Sequence, residues 1–66
     1  MKPDEREFLT AVQRKDTNMT VREVVSHLAI NHKRAWFLLE KWARNGWYEW
    51  GAVIDMGWLT DAGRQA

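Results

Sequence analysis

The sequence contains no cysteine, and this absence removes two ways of stabilising a short chain. No disulfide can form, and a zinc site built on thiolates is excluded as well. The 66 residues predict one domain, spanning 1–66. A domain this small buries only about 60% of the surface of its unfolded chain, so heavy core side chains or a partner subunit are needed. Five Trp, two Phe and one Tyr supply the heavy side chains.

Long apolar runs are also missing. No segment approaches the roughly 20 consecutive apolar residues of a membrane-spanning helix. Residues 1–6 are largely charged and lack the apolar core of a secretory signal. We therefore expect a cytoplasmic protein without a membrane segment.

The residue patterns that carry enzyme chemistry are absent too. There is no nucleophile–base arrangement, no glycine loop that cradles a phosphate and no paired-carboxylate site. His27 and His32 do not have the i, i+4 spacing that places two metal ligands on one helical face. We expect no catalytic residues, no cofactor and no metal site.

Positive charge is concentrated in one short segment, although the chain as a whole has a net charge of only +1. Residues 1–30 balance to zero and residues 46–66 carry −2, whereas residues 31–45 carry +3. The excess comes from four cations opposed by Glu40 alone: Lys33, Arg34, Lys41 and Arg44. Such a segment is typical of a nucleic-acid-binding surface, but a solvated face on an ordinary helix has the same charge pattern.

Two helices are predicted in the first half of the chain, at about 4–15 and 20–28. Apolar residues recur at helical spacing in both. Acidic residues at the start of the first helix, among them Asp4 and Glu5, complement its dipole. Thr20 and Glu23 form a capping box at the start of the second.

A third helix is predicted at about 32–45, between an Asn31 N-cap and a terminating Gly46. At 100° per residue its apolar face points inward. Phe37 lies on the opposite face among the cations. Contact with thymine methyl groups, a protein–protein surface and a helix rotated enough to half-bury the ring are three explanations for it.

Residues 47–59 predict a short antiparallel hairpin. Aromatic and β-branched residues alternate around a turn at Gly51-Ala52, and Val53-Ile54 is expected to be extended. We expect Trp47, Trp50 and Trp58 to pack the hairpin on the helices. Residues 60–64 read as a capped final turn or a short helix, so the predicted fold is mainly α with a small β-hairpin.

Residues 20–47 resemble the core of winged helix-turn-helix transcription regulators. In that family a capped helix ends in a leucine, a small residue and an aliphatic residue, and a recognition helix with a polar N-cap follows. Here these places are held by Leu28, Ala29, Ile30 and Asn31. Residues 59–64, Leu-Thr-Asp-Ala-Gly-Arg, resemble the "LTxxGR" close of many such domains. The resemblance covers residues 20–64 and consists mostly of packing positions, so it bears on fold more than on function.

The resemblance implies a three-helix winged helix-turn-helix domain that binds double-stranded DNA sequence-specifically, with helix 32–45 in the major groove. A small transcription regulator is expected, and so short a chain suggests a phage or mobile element as its source. Useful affinity from one small module would require a dimer or another partner. The predicted DNA-contacting residues are Asn31, His32, Lys33, Arg34, Phe37, Lys41 and Arg44.

Two departures from the family pattern leave an alternative open. Ala29 stands where glycine is common, so a left-handed backbone there would be strained, or the turn takes another shape. The hairpin tip between Trp50 and Gly57 has no Lys or Arg. The alternative is a winged-helix module that binds protein rather than DNA. It would form a homodimer or hold another protein through Phe37 or the hairpin residues Trp50, Val53 and Ile54.

Overall fold

The computed structural model describes all 66 residues. The chain forms three main helices, then a two-stranded hairpin and a short final helix. The helices are α1 (Pro3–Arg14), α2 (Val21–Leu28) and α3 (His32–Arg44). The strands are β1 (Tyr48–Glu49) and β2 (Trp58–Leu59), and a short α4 (Asp61–Gln65) ends the chain. The predicted helices are confirmed to within a residue at each end. No helix is both long and apolar enough to cross a membrane.

Side-chain caps fix where α2 and α3 begin, as predicted. The Thr20 hydroxyl accepts a hydrogen bond from the Glu23 backbone N–H at 3.2 Å, and the Glu23 carboxylate accepts one from the Thr20 N–H at 3.3 Å. The Asn31 side-chain oxygen accepts from the backbone N–H groups of Lys33 and Arg34 at 2.9 and 3.2 Å. These bonds satisfy N–H groups that have no partner inside the helix.

The connection between α2 and α3 is a tight turn with a left-handed residue. Ala29 has φ 53° and ψ 34°, so the strained form is the one adopted. The Ala29 N–H donates to the Ser26 carbonyl at 3.2 Å and the Ile30 N–H to the Val25 carbonyl at 3.3 Å, which closes the end of α2. A left-handed backbone costs a residue other than glycine about 1–2 kcal/mol.

Ala29→Gly is expected to raise the free energy of unfolding by about 0.5–1 kcal/mol. Glycine removes the left-handed strain, and this gain exceeds the entropy that its freer unfolded chain costs. The Ala29 side chain is exposed, so no packing is lost. Urea denaturation measures the change, with Ala62→Gly in right-handed α4 as a control expected to lose stability. A lower stability for Ala29→Gly would contradict the assignment of strain.

The core lies between the inward faces of the three helices and is closed at one end by the hairpin. The Trp42 side chain is fully buried at its centre, with its ring centroid 5.1 Å from that of Phe8. The helical stripes predicted from the sequence supply most of the core. Its members are Phe8, Leu9, Val12, Val21, Val24, Val25, Ala35, Leu38, Leu39, Trp42, Tyr48, Ile54 and Leu59.

The hairpin is shorter and more bent than predicted. Tyr48 pairs with Leu59 and Glu49 with Trp58, and no further residues pair. Val53-Ile54 does not form a strand, because Ile54 begins a 3-10 turn (Ile54–Met56) whose Ile54 side chain enters the core. The Tyr48 hydroxyl holds this turn, since it donates to the Ile54 carbonyl at 2.6 Å and accepts from the Gly57 N–H at 3.0 Å.

Only one of the three hairpin tryptophans packs on the core as expected. Trp47 is half-buried against it, whereas Trp50 and Trp58 are 44% and 50% exposed. Strand alternation places Trp58 opposite Glu49 on the outer face, and its indole N–H donates to the Glu49 carboxylate at 3.2 Å. Trp50 follows the last paired residue of β1. The prediction was therefore wrong for Trp50 and Trp58.

The predicted final turn is confirmed as α4. The Thr60 hydroxyl accepts from the Gly63 N–H at 3.2 Å, and the Thr60 N–H donates to the Trp47 carbonyl at 2.8 Å. A Cβ atom at Gly63 would overlap the same Trp47 carbonyl oxygen. Glycine at 63 is therefore required for the close contact between α4 and the start of the hairpin.

Candidate nucleic-acid interface

The outward face of α3 carries the residues predicted to contact DNA. His32, Lys33, Phe37 and Arg44 are exposed, while Arg34 and Lys41 are partly buried, and the exposed Asn31 caps the helix. Phe37 is 52% exposed, so it lies at the surface and not in the core. The orientation follows from the opposite, apolar face of α3, which is buried among the other helices.

Arg34 is bound to the first turn of α1. Its Nε and Nη2 atoms donate to the two Asp4 carboxylate oxygens at 2.8 and 3.2 Å. This hydrogen-bonded pairing lowers the pKa of Asp4 and raises that of Arg34. The guanidinium carbon also lies 5.6 Å from the centre of the Phe37 ring, within range of a cation–π contact.

Lys41 is bound to a buried carboxylate from the same turn of α1. Glu5 is only 2% exposed, and it accepts from Lys41 Nζ at 3.0 Å and from Trp42 Nε1 at 2.9 Å. Burial raises the pKa of Glu5, but the hydrogen bonds from Trp42 and Lys41 outweigh it and leave the pKa lowered. Glu5 therefore stays charged at the junction of α1 and α3.

These two ion pairs leave α3 with less free positive charge than the net charge of residues 31–45 predicted. Arg34 and Lys41 are neutralised by Asp4 and Glu5, whereas neither Lys33 nor Arg44 takes part in a salt bridge. The sequence interpretation assigned Asp4 and Glu5 to the dipole of α1. It missed their second role, because nothing in the sequence indicates that the start of α1 faces α3.

The N-terminal end of α3 is exposed but offers fewer backbone donors than expected. The Asn31 side-chain oxygen already accepts from the N–H groups of Lys33 and Arg34. Asn31 thus acts as a structural cap, and this oxygen is not free for a base. His32 and Trp36 lie beside it with ring centroids 5.9 Å apart, and together with Lys33 they line a shallow surface depression.

The hairpin tip is tied to α2 by a second buried acid that the sequence interpretation missed. Asp55 is 1% exposed, and its carboxylate accepts from Arg22 Nε and Nη2 at 2.8 and 3.1 Å. Arg22 is therefore paired and is not a free cation of α2. Its own pKa is raised by the hydrogen bonds to Asp55.

One residue that was predicted to lie on a protein-binding surface is buried in the core. Ile54 is only 6% exposed and belongs to the core, so it is not available to a partner, and including it was wrong. Other apolar side chains of the hairpin do lie at the surface. The exposed ones are Trp50, Val53, Met56 and Trp58.

Compared with protein-family models, curated proteins and solved structures, the chain has no significant match. No group of three or more His, Asp or Glu side chains lies close enough together to hold a metal ion. The function must therefore be inferred from the arrangement of α2, α3 and the hairpin, and from the charges on their surface.

Proposed function

We propose that the chain is a winged helix-turn-helix domain that binds double-stranded DNA sequence-specifically, as a small transcription regulator. In this proposal α3 is the recognition helix and the β1–β2 hairpin is the wing. The observation that carries it is the order of α2, a closed three-residue turn and α3, with two unpaired cations, Lys33 and Arg44, on the exposed outward face of α3. An α-helix of this kind fits the major groove of B-DNA.

The two unpaired cations of α3 are suitably placed for DNA phosphates. Lys33 and Arg44 are eleven residues apart, which corresponds to about 16 Å along the helix and nearly the same angular position. Phe37 lies between them on that face. The cations would therefore contact the backbone at the two ends of the helix, with the side chains between them facing the base edges.

Lys33→Gln is expected to weaken binding to every duplex and to reduce the magnitude of the salt slope by about one. The reason is that each phosphate-bound cation releases about one counterion when it binds. A fluorescence titration of random duplex at about 50 and 200 mM salt measures this, using the Trp signal. Arg14→Gln, which removes an exposed cation from the last turn of α1, is the matched control. Equal slopes for the two variants would contradict the assignment of α3 as the DNA-binding face.

A protein-binding module is the second candidate function, and the hairpin favours it. The tip of the hairpin has no Lys or Arg, and four apolar side chains of the whole hairpin are exposed: Trp50, Val53, Met56 and Trp58. Four large apolar side chains exposed within nine residues are more than scattered single ones, and such groups are typical of a protein–protein surface. Self-association in sedimentation, unaffected by Lys33→Gln but lost in Trp50→Ala, would favour this candidate over DNA binding.

A further inference from the structure

We infer that Asp4 is a positioning residue that orients Arg34 to read a guanine base, an inference that rests on the proposed DNA binding. The sequence predicted that Arg34 contacts DNA, but it indicated no residue of the chain that binds the Arg34 side chain. The structure adds a carboxylate from another helix, α1, bound to its guanidinium through two hydrogen bonds at 2.8 and 3.2 Å. The target would then contain a G·C pair at a position contacted from this end of α3.

The pairing leaves the base-reading edge of Arg34 free. A guanidinium has five N–H donors in one plane, and Asp4 uses those of Nε and one on Nη2. The remaining donors, on Nη1 and Nη2, have no partner in the structure. Two adjacent donors of this kind match the O6 and N7 acceptors of guanine in the major groove.

The guanidinium is held on two sides. Asp4 fixes it through the Nε edge, and the Phe37 ring lies against it with 5.6 Å between the guanidinium carbon and the ring centroid. An arginine held in this way loses less conformational freedom when it binds a base, so more of its hydrogen-bond energy contributes to discrimination. Arg34 has 29% of its side-chain surface accessible and Asp4 has 48%, so the pair lies at the surface, where Arg34 can reach a ligand.

Asp4 could instead only mask the positive charge of Arg34, and the two roles predict different effects when the Asp4 charge is removed. If Asp4 only neutralised Arg34, removing its charge would strengthen binding to all duplexes alike, because one more cation would be free for phosphates. If Asp4 positions Arg34, removing the charge weakens the preference for one base and leaves preferences at other positions unchanged. The two roles are therefore separated by base preference and not by affinity alone.

The test begins with selection of target duplexes from a random pool by the unaltered chain, followed by affinity measurements on duplexes changed at single base pairs. We expect one G·C position at which substitution weakens binding about 5- to 150-fold. Asp4→Asn is expected to lose most of that preference and keep the preferences elsewhere. Glu7→Gln, an exposed acid on the same helix with no ion-pair partner, is the matched control and is expected to keep all of them.

A double-mutant cycle tests whether Asp4 acts through Arg34. Arg34→Ala is expected to abolish the same preference, and Asp4→Asn is expected to have no further effect in that background. Asp4→Glu keeps the charge on a longer side chain and should retain part of the preference; it also serves if Asp4→Asn fails to fold. An unchanged guanine preference in Asp4→Asn, or a uniform gain in affinity for all duplexes, would overturn this inference and leave the proposed DNA binding intact. No selected sequence for the unaltered chain would overturn the proposed function itself.

Discussion

Glu5→Ala is expected to lower the free energy of unfolding by about 2–4 kcal/mol. The substitution leaves the buried Trp42 indole N–H without its acceptor at 2.9 Å and opens a cavity beside the Trp42 ring. A domain of this length has a total stability of only about 3–10 kcal/mol, so the loss is a large fraction of the total. Urea denaturation followed by Trp fluorescence measures the change. Glu7→Ala, on the exposed side of the same helix turn, is expected to change stability by less than about 0.5 kcal/mol.

The charge of Glu5 also predicts an acid limit to stability. Its pKa lies below the ordinary value of 4.5, so its contribution is present above that pH and is lost as the pH falls through the lower folded-state pKa. Glu5→Gln keeps an oxygen acceptor for Trp42 but cannot titrate. This variant is expected to be less stable at neutral pH and to show a flatter dependence of stability on acid pH. The same acid sensitivity in Glu5→Gln would show that other groups are responsible.

Tyr48→Phe is expected to lower the free energy of unfolding by about 2–3 kcal/mol, although it removes a single oxygen atom. The hydroxyl is the partner of both the Ile54 carbonyl and the Gly57 N–H, and each backbone group left unsatisfied costs about 1–3 kcal/mol. Trp50→Phe changes an exposed aromatic residue nearby and should have little effect. Equal stabilities for Tyr48→Phe and the unaltered chain would contradict the role of the hydroxyl in holding the 3-10 turn.

The Tyr48 titration gives a second measurement of the same contact. Burial raises its pKa to about 12, and Tyr48 is the only tyrosine, so phenolate absorbance reports on it alone. Its contribution to stability is complete below the ordinary pKa of 10.0 and is lost as the pH rises from there toward 12. Half-titration near 10 in the folded chain would contradict the buried placement.

The helices were predictable because local chemistry determines where they begin and end. The Thr20–Glu23 capping box, the Asn31 cap and Gly46, whose φ is 77°, are signals within a few residues of sequence. Apolar spacing then identified which faces form the core. The strained Ala29 was anticipated as one of two possibilities, because sequence alone does not decide whether a turn accepts strain or changes shape.

The contacts between distant elements were not predictable from the same signals. No local sequence signal marks Glu5 or Asp55 as a buried acid. Both are buried because Lys41, Trp42 and Arg22 approach them from other elements. The hairpin was predicted as a regular alternation, but burial of Ile54 and the Tyr48 hydroxyl bonds bend it instead. Charge counted by segment likewise overestimated the free positive charge of α3, since two of its four cations are paired with α1.

The most direct test of the central claim is an NMR titration of ¹⁵N-labelled protein with a duplex DNA. The proposal predicts that chemical-shift changes concentrate at the exposed residues from Asn31 to Phe37 and at Arg44, with the Trp36 indole N–H shifting and that of buried Trp42 shifting little. It also predicts that these changes diminish as salt is raised. Absence of shifts at low salt, or shifts confined to the hairpin residues 50–58, would contradict DNA binding by α3.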